Sequence, residues 1–152
     1  MSRKKIILIV FAFLFVTGGA FGTYEFFRGN PDMVTQKADF IIGAPDLLHE
    51  FATNDSGATK KYIGKIIEVK GTVKKVEKDD QDFFTVVVAE TGNPSSIRCA
   101  IDSTKKNEAL QLKEGTITSV KGIFTGYNKD ETGLLGSDIQ MNRCVISTYL
   151  KK

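Results

Sequence analysis

A single histidine, His49, serves 152 residues, and no cysteine or second histidine stands at ligand spacing from it. That scarcity excludes a recognisable zinc set or Ser-His pair and leaves His49 as a surface or half-buried side chain. The only two cysteines, Cys99 and Cys144, form no C-x-x-C motif, which argues against dithiol catalysis. No glycine-rich phosphate loop follows a strand-like run. Asp79, Asp80 and Asp82 crowd one segment without the ligand spacing of an EF-hand loop, so they read as turn formers. Paired catalytic carboxylates and nucleophile–base motifs are also missing. The expectation is a protein that is not an enzyme and needs no metal or cofactor.

Charge of one sign is also scarce. There are 21 basic and 18 acidic residues, but Arg3, Lys4, Lys5 and Arg28 against Glu25 account for the whole excess. Residues 29–152 are formally neutral, so the folded part exerts no long-range pull on polyanions.

The basic residues bracket a run, residues 6–24, that contains no charge. Its length is close to the roughly 20 residues that span a bilayer core, and the preceding cations favour a cytoplasmic N-terminus. This reading makes residues 1–27 a cytoplasmic tip and transmembrane signal-anchor, and residues 28–43 a linker. It places residues 44–152, as a folded domain, on the extracytoplasmic, periplasmic side of the cell membrane. The competing reading is a cleaved secretory signal, for which Ala20-Phe21-Gly22 is a poor small-x-small site. No cysteine closely follows the run, so a lipid-modified cysteine is excluded.

Within the folded part, Pro45 and Asp46 suit a helix start, and Leu47, Leu48, Phe51, Ala58 and Tyr62 approximate one apolar face. One helix is expected over residues 44–64, with a possible kink at Asn54-Asp55-Ser56-Gly57. From Lys65 the period changes to two. Ile67, Val69, Gly71 and Val73 share a face, but the next apolar residue, Val76, is three steps on, which implies a bulge near Lys74-Lys75. Further strands read over residues 83–90, 96–102, 116–128 and 137–150, with a short helical connector in residues 103–115. Five strands grouped three plus two, the first long and bent, point to a mainly β fold with a helix. The architecture is a five-stranded OB-fold barrel preceded by an N-terminal helix. A β-sandwich is the runner-up.

The stretches KKYIGKIIEVKGTVKKVEKD, IRCAID, VKGIFTGYN and RCVI resemble the bacterial tRNA_anti-like family of OB-fold envelope lipoproteins. The resemblance runs from about Ala38 to Val145 and implies the OB-fold. It implies neither an identified ligand nor catalytic residues. This chain lacks the cysteine of the lipoprotein signal, which leaves a peptide anchor in its place.

OB domains usually bind on strands two and three with the adjoining loops. Phe83, Arg98, Lys121 and Tyr127 are the candidate ligand-binding residues by that rule. The acidic loop at residues 78–82 and the neutral domain speak against nucleic acid, which is unfavoured but not excluded as a partner. An envelope oligosaccharide, peptide or protein is the preferred partner class. Cys99 and Cys144 fall on neighbouring strands of an OB barrel, so a disulfide is possible provided their registers match. Two buried thiols are the equal alternative. The sequences Val69-Lys70-Gly71 and Val120-Lys121-Gly122 read as two curved strands whose lysines face solvent.

Overall fold

Among the described residues, short alternating runs separated by turn residues produce six strands and three short α-helices. The computed structural model describes residues 32–147 together with Gly19. Its elements are β1 (Phe40–Gly43), α1 (Ala44–Thr53), α2 (Asp55–Tyr62), β2 (Ile66–Lys78), β3 (Phe84–Ala89) and β4 (Ser96–Ile101). One turn of 3-10 helix (Ser103–Lys105) then leads into α3 (Lys106–Ala109), β5 (Ile117–Asn128) and β6 (Asp138–Ser147).

The long strand β2 organises the sheet by changing partners. It runs antiparallel to β5 over residues 66–72 and to β3 over residues 72–78, with the expected bulge between Val73 and Lys75. Antiparallel β3–β4, parallel β4–β6 and antiparallel β5–β6 pairings complete the circuit. Strands β2 to β6 therefore form a closed five-stranded barrel of the OB kind. Alternation turns Ile67, Val69, Val73, Val86, Val88, Ile97, Val120, Phe124, Ile139 and Met141 into its buried core.

The sixth strand, β1, falls in the stretch read as linker. It pairs in parallel with β2, Phe40 opposite Ile67 and Gly43 opposite Lys70. Asp39 fixes the register: its N–H donates to the Ile66 carbonyl (2.8 Å), and its carboxylate accepts from the Ile66 N–H (2.9 Å). Four residues are too few for a period of two to show, so the alternation rule passes over them. Met33 is also buried, so the folded unit starts well before Ala44.

The single helix expected over residues 44–64 is two. Asn54 interrupts it with φ −150° and caps α2, its side-chain oxygen accepting from the Gly57 N–H at 2.9 Å. Leu47, Leu48 and Phe51 of α1 join the barrel core. The Phe51 ring lies 5.3 Å from Phe124 and 6.0 Å from Tyr62, and aromatic pairs of this kind add about 0.5–1.5 kcal/mol each beyond burial. Tyr62 donates its hydroxyl to Glu50 (2.7 Å), whose other oxygen meets Lys61 at 2.7 Å.

The apolar run at residues 6–24 lies outside the described residues. Among the described residues no helix is long and apolar enough to cross a membrane. The single-pass membrane localisation inferred from that run is therefore withdrawn.

Candidate ligand-binding face

The outer surface of β3 and β4, the second and third strands of the barrel, is the part on which OB domains usually bind, and β2 borders it. Lys75 of β2, Val87 of β3 and Arg98 of β4 form one row of the ladder, and Glu77, Thr85 and Ala100 form the next. Arg98 reaches across β3 to form an ion pair with one oxygen of Glu77, while Lys75 Nζ lies 2.5 Å from the other. Glu77 thus takes up both cations. The Lys75 ammonium, and after it the Arg98 guanidinium, hold its carboxyl below the usual range against the opposing effect of burial. These partly exposed pairs add little to stability. They neutralise the face in place, above a buried Val87.

The four residues singled out from the sequence do not converge on one surface. Phe83 is 50% exposed at the end of the loop before β3, its N–H donating to Asp79 at 2.9 Å. Arg98 is engaged with Glu77. Lys121, expected in solvent, is only 8% exposed. Its ammonium donates to the carbonyls of Val34 (3.0 Å) and Gln36 (2.7 Å), so the segment before β1 covers it. Tyr127 is half-buried, its ring 4.8 Å from Phe51 of α1. On β5, then, one candidate holds a chain segment and the other packs against a helix. The strapping role of Lys121 has no local signature, because its partners lie 85 and 87 residues away.

The loops that frame the face are acidic and tightly built. In residues 79–83, Asp79 caps its own turn by accepting from the N–H groups of Gln81 and Phe83. Asp82 sits between Lys106 (2.8 Å) and Lys78 (2.7 Å), which together hold its carboxyl at about 2. In residues 129–137, Asp130 accepts from the Thr132 hydroxyl and from the N–H groups of Thr132, Leu135 and Gly136. Those bonds, the Thr132 hydroxyl first, place its carboxyl at about 2. A depressed carboxyl favours the folded loop above the ordinary aspartate range, and that support is lost as pH falls through about 2.

Cys99 and Cys144 are wholly buried thiols. Cys99 lies opposite Met141 and Cys144 opposite Ile101, so the two are one inward step out of register. Burial, with Cys99 as neighbour, pushes the Cys144 thiol well above its usual range, which makes it inert. Among the described residues no cluster of His, Cys, Asp and Glu could hold a metal ion.

The family model described as tRNA_anti-like matches residues 1–137. The chain belongs to the tRNA_anti-like family. No curated protein matches it by sequence. Among solved structures, the fold is similar to that of a lipoprotein from Klebsiella pneumoniae subsp. pneumoniae described as a candidate nucleic acid-binder, with TM-score 0.58 and 13% identity. That match covers 80% of this chain and 99% of the lipoprotein. A candidate aspartyl-tRNA synthetase from Leishmania major Friedlin is also similar, at TM-score 0.45 and 12% identity, over 77% of this chain and 22% of the synthetase. An OBody bound to hen egg-white lysozyme matches at TM-score 0.42 and 15% identity, over 57% of this chain and 84% of the OBody.

Proposed function

We propose that this tRNA_anti-like domain is a non-catalytic OB-fold binding module whose ligand is a peptide, protein or oligosaccharide and not a polyanion. The observation that carries the reading is the disposition of its cations. Arg98 and Lys75 are matched by Glu77, Lys121 is buried against backbone carbonyls, and the flanking loops present Asp79, Asp80 and Asp82 at one end and Asp130 and Glu131 at the other. A nucleic-acid site works by releasing counterions through cations that face phosphates, and here those cations are already spent.

Fluorescence anisotropy with a labelled oligothymidylate and a transfer RNA tests this at about 50 mM and about 200 mM salt. No saturable binding at the lower salt is expected. Saturable binding that weakens steeply at the higher salt would overturn the reading. It would favour the second one, a nucleic-acid-binding OB protein. That alternative draws on the half-exposed ring of Phe83 as a stacking platform and on the description of the similar lipoprotein as a candidate nucleic acid-binder.

A further inference from the structure

The rows of the β3–β4 face differ in size and in chemistry. Phe84 is buried in the core, so alternation turns Phe83 and Thr85, on either side of it, to the outer face. Phe83 is fixed there by Asp79, whose N–H donates to the Phe83 carbonyl at 3.0 Å and whose carboxylate accepts from the Phe83 N–H at 2.9 Å. The next row is Glu77, Thr85 and Ala100, and the one after it is Lys75, Val87, Arg98 and Gln140. Thr85 and Ala100 are small and half-buried, so they form a floor between the half-exposed ring of Phe83 at one end and the Arg98–Glu77 pair at the other. Adjacent rows on one face stand about 7 Å apart, which leaves room for one sugar ring over the floor.

The same rows decide between ligand classes. β3 lies between β2 and β4, and β4 between β3 and β6, so neither has a free edge to which an extended peptide could add. Val87, the apolar residue at the centre, is only 1% exposed and offers no pocket to an anchoring side chain of a peptide. Polyanions meet cations that Glu77 already matches. What the face presents is an aromatic ring beside mixed hydrogen-bonding groups. The Glu77 carboxylate accepts, the Arg98 guanidinium donates and is joined to Glu77 through one terminal nitrogen, and the Thr85 hydroxyl and Gln140 amide do both. Sugar hydroxyls likewise donate and accept, and the apolar side of a sugar ring packs on an aromatic face.

We propose that the β3–β4 face binds a neutral oligosaccharide, with one sugar ring over Thr85 and Ala100, against the Phe83 ring, and its hydroxyls on Glu77 and Arg98. The inference rests on the reading of the domain as a non-catalytic binding module whose ligand is not a polyanion, and names the ligand class of that same face.

Isothermal titration of the full chain with neutral oligomers of glucose, of mannose and of N-acetylglucosamine tests it, with oligothymidylate alongside. Saturable binding of at least one sugar oligomer is expected, unchanged between about 50 mM and about 200 mM salt because no charge on the ligand is neutralised. Phe83→Leu should weaken it by about tenfold or more, whereas Phe83→Trp, which keeps a ring, should retain it. Phe83 is half-exposed, so both variants keep the fold, which circular dichroism verifies. Glu77→Gln should also weaken the sugar and, by releasing Arg98 and Lys75, give the face a salt-sensitive affinity for oligothymidylate that the native chain lacks. Failure of all three sugar oligomers to bind overturns the inference, as does sugar binding that Phe83→Leu leaves unchanged. Peptides from a random library that bind the native chain but not Phe83→Leu, with no sugar binding, overturn it while the module reading stands. Saturable oligothymidylate binding by the native chain at low salt defeats that reading, and this inference with it.

Discussion

Val69-Lys70-Gly71 on β2 and Val120-Lys121-Gly122 on β5 share a sequence and lie side by side, Val69 opposite Val120 in the antiparallel ladder. Their valines do the same thing, both pointing into the barrel with no exposed surface. Their lysines do not. Lys70 is exposed, whereas Lys121 is buried beneath residues 34–36. The glycines differ as well. A β-carbon at Gly71 would meet Val88 at 2.5 Å and Ala44 of α1 at 2.7 Å, whereas one at Gly122 would run into the Cys144 sulfur and stand 3.0 Å from the Asn142 carbonyl. The local pattern decides which way each side chain points. What lies above it is decided by segments far away in the chain.

The contrast can be broken most severely at Gly122. Gly122→Val forces a branched side chain against a sulfur in the core and against backbone, neither of which can yield cheaply. A loss of about 3 kcal/mol or more in urea unfolding is expected. Gly71→Val meets two side chains, one of them on a helix that can shift, so about 1–3 kcal/mol is expected, with faster amide exchange across α1. Lys121→Met removes the donors to the Val34 and Gln36 carbonyls and should cost about 1–3 kcal/mol, loosening residues 33–39 in hydrogen exchange. Lys70→Met, at the matching position of the other strand, should change stability by less than about 0.5 kcal/mol. Equal effects of the two lysine substitutions would erase the distinction between the strands.

Most of the barrel was legible in the sequence because alternation is a strong signal over long strands. The spacing from Val73 to Val76 located the bulge, and the order of strands pointed to the closed barrel. The four-residue β1 and the break at Asn54 depend on backbone pairing and capping, which leave only weak traces in composition. The site was less legible. Arg98 and Lys121 look alike as cations on strands, but Glu77 meets one across β3 and a distant loop covers the other. A cleft beside Pro94 could not be read at all, since it joins residues 72–74, 89–94 and 115, with Gly136 packed behind Pro94, which only the barrel closure brings together.

The claim that Lys121 is spent inside the fold, on the segment before β1, is tested most directly by lysine footprinting. The folded full chain is exposed to limiting acetylating reagent, and the modified lysines are quantified by peptide mass spectrometry. Lys121 should react at least about tenfold more slowly than Lys70, because its ammonium is reached only when residues 33–39 lift away. Equal rates at the two positions would contradict the claim and return Lys121 to the solvent-facing role first read from the sequence.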